Sequence, residues 1–265
     1  KFLGVLPYAD LKIEEEDSLS DEDKRVYSND KKYINISVIK TKKMSNFTDF
    51  HAFKQYDDVR VKYIYDVKDL GDEDIIIFPG SKNTIADLED LKKRGIFEKV
   101  KELKEKGKII IGICGGLQML GKKIHDPKHL ESNILETEGF NFFDYETTFD
   151  EIKKTEQVIK KIEAKEGILK DFNDYDIKGY EIHQGVTNIS NPVICKDNVF
   201  ATYIHGIFDN SKFTNDLLNM IRRKKYMPEQ KETLSFNEFK EKEYDKLAKL
   251  LRENLDIQEI YKILN

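Results

Sequence analysis

The run Ile109-Ile110-Ile111-Gly112-Ile113-Cys114-Gly115-Gly116-Leu117-Gln118-Met119-Leu120-Gly121 is a continuously apolar strand that ends at a thiol flanked by glycines and then turns helical. A strand without polar alternation must be covered on both faces, which points to a central strand of a parallel sheet with helices on either side. Gly-x-Cys-x-Gly is the thiol form of a nucleophile elbow: small neighbours let the backbone turn so sharply that the side chain stands exposed above the sheet edge. The run therefore demands an α/β layer and sets a group able to attack at its rim.

The rest of the pattern agrees. Short β-branched runs at 33–39, 59–65, 74–78 and 108–113 read as strands, and 85–106 carries apolar residues at helical spacing, giving a β-α-β unit. A short helix is expected over 46–54, and another from Gly115 directly after the cysteine. Residues 147–164 fit helix or strand; threonine, valine and isoleucine at their apolar positions favour strand. Strands at 176–183, 186–189 and 199–204 and helices at 212–224, 236–254 and 257–264 complete an open, mixed, mostly parallel α/β sheet flanked by helices.

At 265 residues and 31.1 kDa the chain can hold one large domain with an appendage. It has two cysteines and no signal peptide, which suggests a reducing, cytoplasmic setting with free thiols. Charged residues reach 36%, yet 45 basic against 50 acidic leave a net charge of −5, so no electrostatic field calls for nucleic acid or an anionic membrane. No apolar run nears the roughly 20 residues of a membrane span. The chain opens on Lys1 without an initiator methionine, and Glu14-Glu15-Glu16-Asp17 with the polar residues up to Lys32 looks like a linker. The expected division is 1–30 linker and tail of a preceding domain, 31–225 the main domain, and 226–265 a helical extension packed on it.

A cysteine nucleophile needs a base, and five histidines are available: His51, His125, His129, His183 and His205. His205, in Thr202-Tyr203-Ile204-His205-Gly206, sits at a strand end, and catalytic groups of open α/β sheets gather at the carboxyl ends of strands. Cys114 and His205 would form a thiolate–imidazolium pair, with the helix from Gly115 presenting its positive end to the sulfur. The plain alternatives are a small core residue and a packed strand-end histidine. The Gly115 amide is one candidate oxyanion donor, and Phe78-Pro79-Gly80-Ser81-Lys82-Asn83-Thr84 can supply a second through Gly80; alternatively this is an ordinary strand-to-helix turn capped by Asn83 or Thr84. Cys195 reads as a small strand residue, His125 and His129 fall in a polar turn, and no His/Cys/Asp/Glu spacing suggests a metal. Ser45 to Phe50 reads as a helix start capped by Ser45 or Thr48.

Together, the Pro79 to Thr84, Gly112 to Gly121, Gly179-Tyr180-Glu181-Ile182-His183 and Tyr203-Ile204-His205-Gly206-Ile207-Phe208-Asp209 motifs resemble, in this order, the class I glutamine amidotransferase domains of the cobyric acid synthase family. Glu16-Asp17-Ser18-Leu19 and Ser45-Asn46-Phe47-Thr48-Asp49-Phe50 extend the likeness over nearly the whole chain. The resemblance implies a flavodoxin-like fold in which Cys114 attacks the side-chain amide of glutamine and His205 shuttles protons. It also implies that Gln118 lines the glutamine pocket and that Gly80, Ser81 and Gly115 serve the oxyanion. It implies no cofactor in this domain. ATP and magnesium would belong to an N-terminal synthetase domain, the partner that receives ammonia and amidates the corrin substrate adenosylcobyrinic acid a,c-diamide in cobalamin biosynthesis. The likeness would also let Ser45 to Phe50 form part of an interface with that synthetase domain. This chain has no Gly-x-x-x-x-Gly-Lys-Ser/Thr loop of its own. Many class I glutaminases carry a glutamate two residues after the histidine; here that position is Ile207, so a Cys-His dyad is expected. Glu181 and His183 could orient His205 or bind substrate, or could equally be an anchor and a packed residue. Alternatives are a sister glutaminase serving cobyrinic acid a,c-diamide synthase or lipid II isoglutaminyl synthase, a dienelactone-hydrolase-like thiol hydrolase, and a scaffold with a vestigial site.

Overall fold

A computed structural model describes residues 2–13, 32–231 and 234–264; the Glu14 to Asp17 and Glu16 to Leu19 features lie outside the described residues. The first strands are β1 (Ile34–Ile39), β2 (Met44–Ser45), β3 (Val59–Ile64), β4 (Ile75–Phe78), β5 (Gly80–Ser81) and β6 (Ile109–Ile113). They are followed by β7 (Lys123–His125), β8 (Glu136–Glu138), β9 (Glu146–Lys161), β10 (Asp176–Thr187), β11 (Val193–Lys196), β12 (Val199–Thr202) and β13 (Ile204–His205). The helices are α1 (Thr84–Lys93), α2 (Ile96–Glu105), α3 (Gly115–Leu120), α4 (Ser211–Lys224), α5 (Phe236–Asn254) and α6 (Ile257–Leu264), with a 3-10 helix at Phe47–Gln55.

The central sheet runs β11-β12-β6-β4-β1-β3, parallel throughout except for the antiparallel edge strand β11. Its inner strands β1, β4 and β6 are buried along their whole length, β1 although Asn35 and Ser37 interrupt its apolar residues, and β4 and β6 as their unbroken isoleucine-rich runs require. Each such side chain taken from water contributes about 1.5–3 kcal/mol before entropy is counted. A second sheet, β13-β10-β9-β7-β8, stands beside it and is mostly antiparallel. The two-stranded pair β2–β5 sets Ser45 opposite Gly80.

Several boundaries differ from the sequence pattern. The 85–106 stretch is two helices, because Gly95 at φ 73 turns the chain between α1 and α2. The ambiguous 147–164 region is strand β9, paired along most of its length with β10. That partner runs through 186 and 187 without ending, its register shifting between Gln184 and Val186. The run over 199–204 divides at Tyr203, so β12 stays in the central sheet while β13 joins the second one. The 3-10 helix begins after Asn46, at φ 57, and no side chain caps it, so neither Ser45 nor Thr48 acts as a cap.

The arrangement gathers the carboxyl ends of the parallel strands on one rim. Cys114 follows β6, Gly80 follows β4, and Tyr203 to His205 follow β12. The 3-10 helix reaches the same rim from the β1 side, after the short strand β2.

Candidate active site

Cys114 adopts φ 52 and ψ −105, a conformation that costs a non-glycine residue about 1–3 kcal/mol and persists only where its surroundings hold it. Its own N–H donates to the Thr202 carbonyl (2.8 Å) and its carbonyl accepts from the Gln118 N–H (3.1 Å), fixing the elbow between β12 and α3. A Cβ on Gly116 would lie 2.1 Å from the Phe78 carbonyl oxygen, so α3 can rest on β4 only with glycine there. The thiol is buried, not exposed as the elbow pattern suggests; it is 8% exposed and its Sγ donates to the Ile182 carbonyl at 3.5 Å. The covering strand, β10, explains the difference.

His205 is fully buried. Its Nδ1 donates to Asp49 Oδ2 at 2.7 Å, and Asp49 Oδ1 accepts from the Gly206 N–H at 2.9 Å. Position 207 holds no acid, as the dyad expectation has it, yet a carboxylate from the 3-10 helix does hold the histidine. Asp49 is itself buried at 2% exposure. Burial works against charge on His205, yet Asp49 and Cys114 outweigh it and push the imidazole up to about 10. Its Nε2 has no aligned hydrogen-bond partner. With Nδ1 committed to the carboxylate, Nε2 is the nitrogen left for the sulfur. Tyr180 stacks on the imidazole (5.2 Å between centroids, 22° between planes) and its hydroxyl accepts from Asn46 Nδ2 at 2.8 Å.

Gly80 and Ser81 run past both reactive groups. A Cβ on Gly80 would come 3.3 Å from His205 Cε1, and one on Gly115 would come 2.9 Å from the Ser81 nitrogen. The Ser81 hydroxyl is used elsewhere, donating to Asp87 Oδ2 at 2.6 Å, so only its backbone is left to serve an oxyanion. The same turn also starts a helix: Asn83 Oδ1 accepts from the Ala86 N–H at 2.9 Å. Of the readings of this segment, the capped strand-to-helix turn is present, with Asn83 and not Thr84 as the cap. Gln118 is buried one turn beyond Cys114; its Oε1 accepts from Thr84 Oγ1 (3.0 Å) and its Nε2 donates to the Gln184 carbonyl (2.9 Å).

Glu181 and His183 do not touch the His205 ring. Successive residues of a strand alternate faces, so the two lie opposite Tyr180, the side chain that meets His205. Glu181 instead receives Lys154 Nζ at 2.6 Å, and His183 stacks on Tyr203 at 3.8 Å between centroids. Burial draws the His183 imidazole below the usual histidine range. These contacts remove the orienting role considered for the pair. Cys195 lies half-buried on β11, away from the rim.

Asp49 is the residue that sequence reasoning missed. It lies 156 positions from His205 in the chain. The available signal was a carboxylate set among Phe47, Phe50, Ala52 and Phe53 in a segment otherwise fit for the core.

A family profile described as CobB/CobQ-like glutamine amidotransferase domain matches residues 35–213. A relative from Clostridium novyi (strain NT), named cobyric acid synthase, is 44% identical over 285 residues, covering 99% of this chain and 55% of the relative. One of the same name from Clostridium tetani (strain Massachusetts / E88) is 41% identical, covering 99% of this chain and 54% of its own length. The chain thus spans about half the length of the curated relatives it matches. Among solved structures, PurLQS from Thermotoga maritima superposes with a TM-score of 0.50 at 18% identity, over 71% of this chain and 99% of that one. A structure described as a glutamine amidotransferase does so at 0.50 and 13%, over 70% and 97%. These two likenesses support the α/β fold. Among the described residues no helix is long and apolar enough to cross a membrane.

Proposed function

The chain belongs to the CobB/CobQ-like glutamine amidotransferase family, and from that premise we propose that it is the glutaminase part of a cobyric acid synthase, releasing ammonia from glutamine through Cys114 and His205. The observation that carries this reading is the buried elbow cysteine beside an imidazole whose Nδ1 is held and whose Nε2 is left for the sulfur. The Cys114 sulfur attacks the glutamine amide carbon, and the tetrahedral oxyanion meets the backbone N–H groups of Gly115 and of the Gly80-Ser81 turn. His205 then delivers its proton to the departing nitrogen; ammonia leaves and a glutamyl thioester remains. Water, deprotonated by the same imidazole, hydrolyses the thioester to glutamate. Gln118, held rigid by Thr84 and Gln184, forms part of the glutamine pocket wall.

Ammonia needs a consumer. The curated relatives are nearly twice as long as this chain, which supports an ATP-dependent synthetase region acting on corrin carboxylates in the remainder of the protein. Their shared name favours this acceptor over those of sister glutaminases, and the family match argues against a free-standing thiol hydrolase.

In the full-length protein, Cys114→Ser is expected to abolish glutamine-dependent amidation and glutamate release while amidation from added ammonium continues. Glutamate release by that variant at the wild-type rate would overturn the mechanism. The glutaminase is also expected to run slowly in the isolated chain and faster in the full-length protein; equal rates would remove the argument for coupling.

A further inference from the structure

We propose that Asp49 is the positioning residue of a catalytic triad whose carboxylate precedes the nucleophile in the chain, giving the order Asp49, Cys114, His205. The inference rests on the glutaminase reading of Cys114 and His205. Asp49 divides its two oxygens: Oδ2 accepts from His205 Nδ1 at 2.7 Å, and Oδ1 accepts from the Gly206 N–H at 2.9 Å. The first bond fixes the tautomer and the ring plane. The second ties down the turn at φ 72 that follows the histidine, so ring and backbone are oriented by one carboxylate. A triad is defined by geometry and roles, with no fixed chain order.

The 3-10 helix is built to keep that carboxylate still. Phe53 packs on Phe208 with centroids 4.6 Å apart, joining the helix to the segment just after His205. Asn46, at the start of the helix, donates to Tyr180, whose ring covers the opposite partner, the imidazole. The Asp49 charge is felt beyond His205: after burial, it is the next cause raising the Tyr180 phenol. A carboxylate that merely tied down the Gly206 turn would need one oxygen. Here the second is spent on the catalytic imidazole, in a place sealed from water where an unpaired carboxylate would be costly.

The experiment compares Asp49→Asn, Asp49→Glu and Asp49→Ala in the full-length protein, with Cys114→Ser as reference. Asparagine keeps shape and the Gly206 bond but loses the charge. Asp49→Asn is expected to lower the glutaminase kcat by about 100-fold or more with KM for glutamine within about threefold, since the loss falls on proton transfer and not on binding. Asp49→Glu should recover part of that loss, and amidation from added ammonium should persist throughout. In the folded Asn variant, the His205 imidazole, followed by NMR, should titrate well below its wild-type midpoint. Unchanged kcat and an unchanged His205 titration in folded Asp49→Asn would overturn the proposal while leaving the glutaminase reading intact. Loss of activity that tracks only the unfolded fraction, with His205 titrating normally in the folded molecules, would likewise reduce Asp49 to a structural anchor. Glutaminase activity surviving in Cys114→Ser would instead remove the reading beneath both.

Discussion

Two neighbouring conflicts define the site at the scale of single residues. Cys114 is held at φ 52 although a side chain disfavours it, and Asp49 and Cys114 favour charge on His205 although it is fully buried. The second has a thermodynamic consequence. Because the folded imidazole is raised from 6.5 to about 10, its contribution to stability is fully present below about pH 6.5 and is lost as pH rises through about 10. Wild type should therefore be more stable than His205→Gln near pH 6.5, with the gap narrowing toward pH 10. Thermal melts of both proteins across that window check this; a gap that widens with pH would contradict it. Cys114 and His205 were legible in the sequence as candidates because each ends a strand and the elbow pattern is local. Asp49 was not, because its partner is fixed by tertiary packing across 156 positions, and the position two residues past the histidine, where many class I glutaminases carry an acid, is Ile207.

Elements carry these residues to one rim, and their legibility follows the same division between local and distant causes. Unbroken apolar runs identify β4 and β6, because burial on both faces leaves a mark in each strand alone, whereas β1 carries Asn35 and Ser37 although it is buried as fully. The departure of β13 from the β12 strand leaves no such mark: both halves are buried, and only pairing with β10 decides the change of sheet. The 3-10 helix is similar, since its lack of a side-chain cap is visible only when Asn46 is seen at φ 57. Close contact between α3 and β4 gives a sharper prediction. Gly116→Ala would drive a methyl group to 2.1 Å from the Phe78 carbonyl, a clash of backbone against side chain that no rotamer relieves. We expect a loss of about 3 kcal/mol or more, beyond ordinary overpacking, measured by urea denaturation. A loss below about 1 kcal/mol would show that the elbow tolerates a looser helix.

At the scale of the whole molecule, segments near the two ends of the chain meet. Gly4 bridges to Leu255, the Asp256 N–H donates to the Leu3 carbonyl at 2.7 Å, and the Lys12 N–H donates to Glu243 Oε2 at 2.9 Å. Lys12 also pairs with Asp57 at 2.9 Å, just beyond the 3-10 helix, and α5 lies against that helix. The segment preceding the central domain is therefore connected, through α5, to the element bearing Asp49. Every step proposed for glutamine nevertheless depends on the Cys114 sulfur itself. Incubating the protein with 6-diazo-5-oxo-L-norleucine, a glutamine analogue that alkylates the attacking thiol, and mapping the adduct by mass spectrometry tests this most directly. We predict a single adduct on Cys114, lost in Cys114→Ser and unaffected by Cys195→Ser; an adduct on Cys195, or none at Cys114 while glutamine is still hydrolysed, would contradict it.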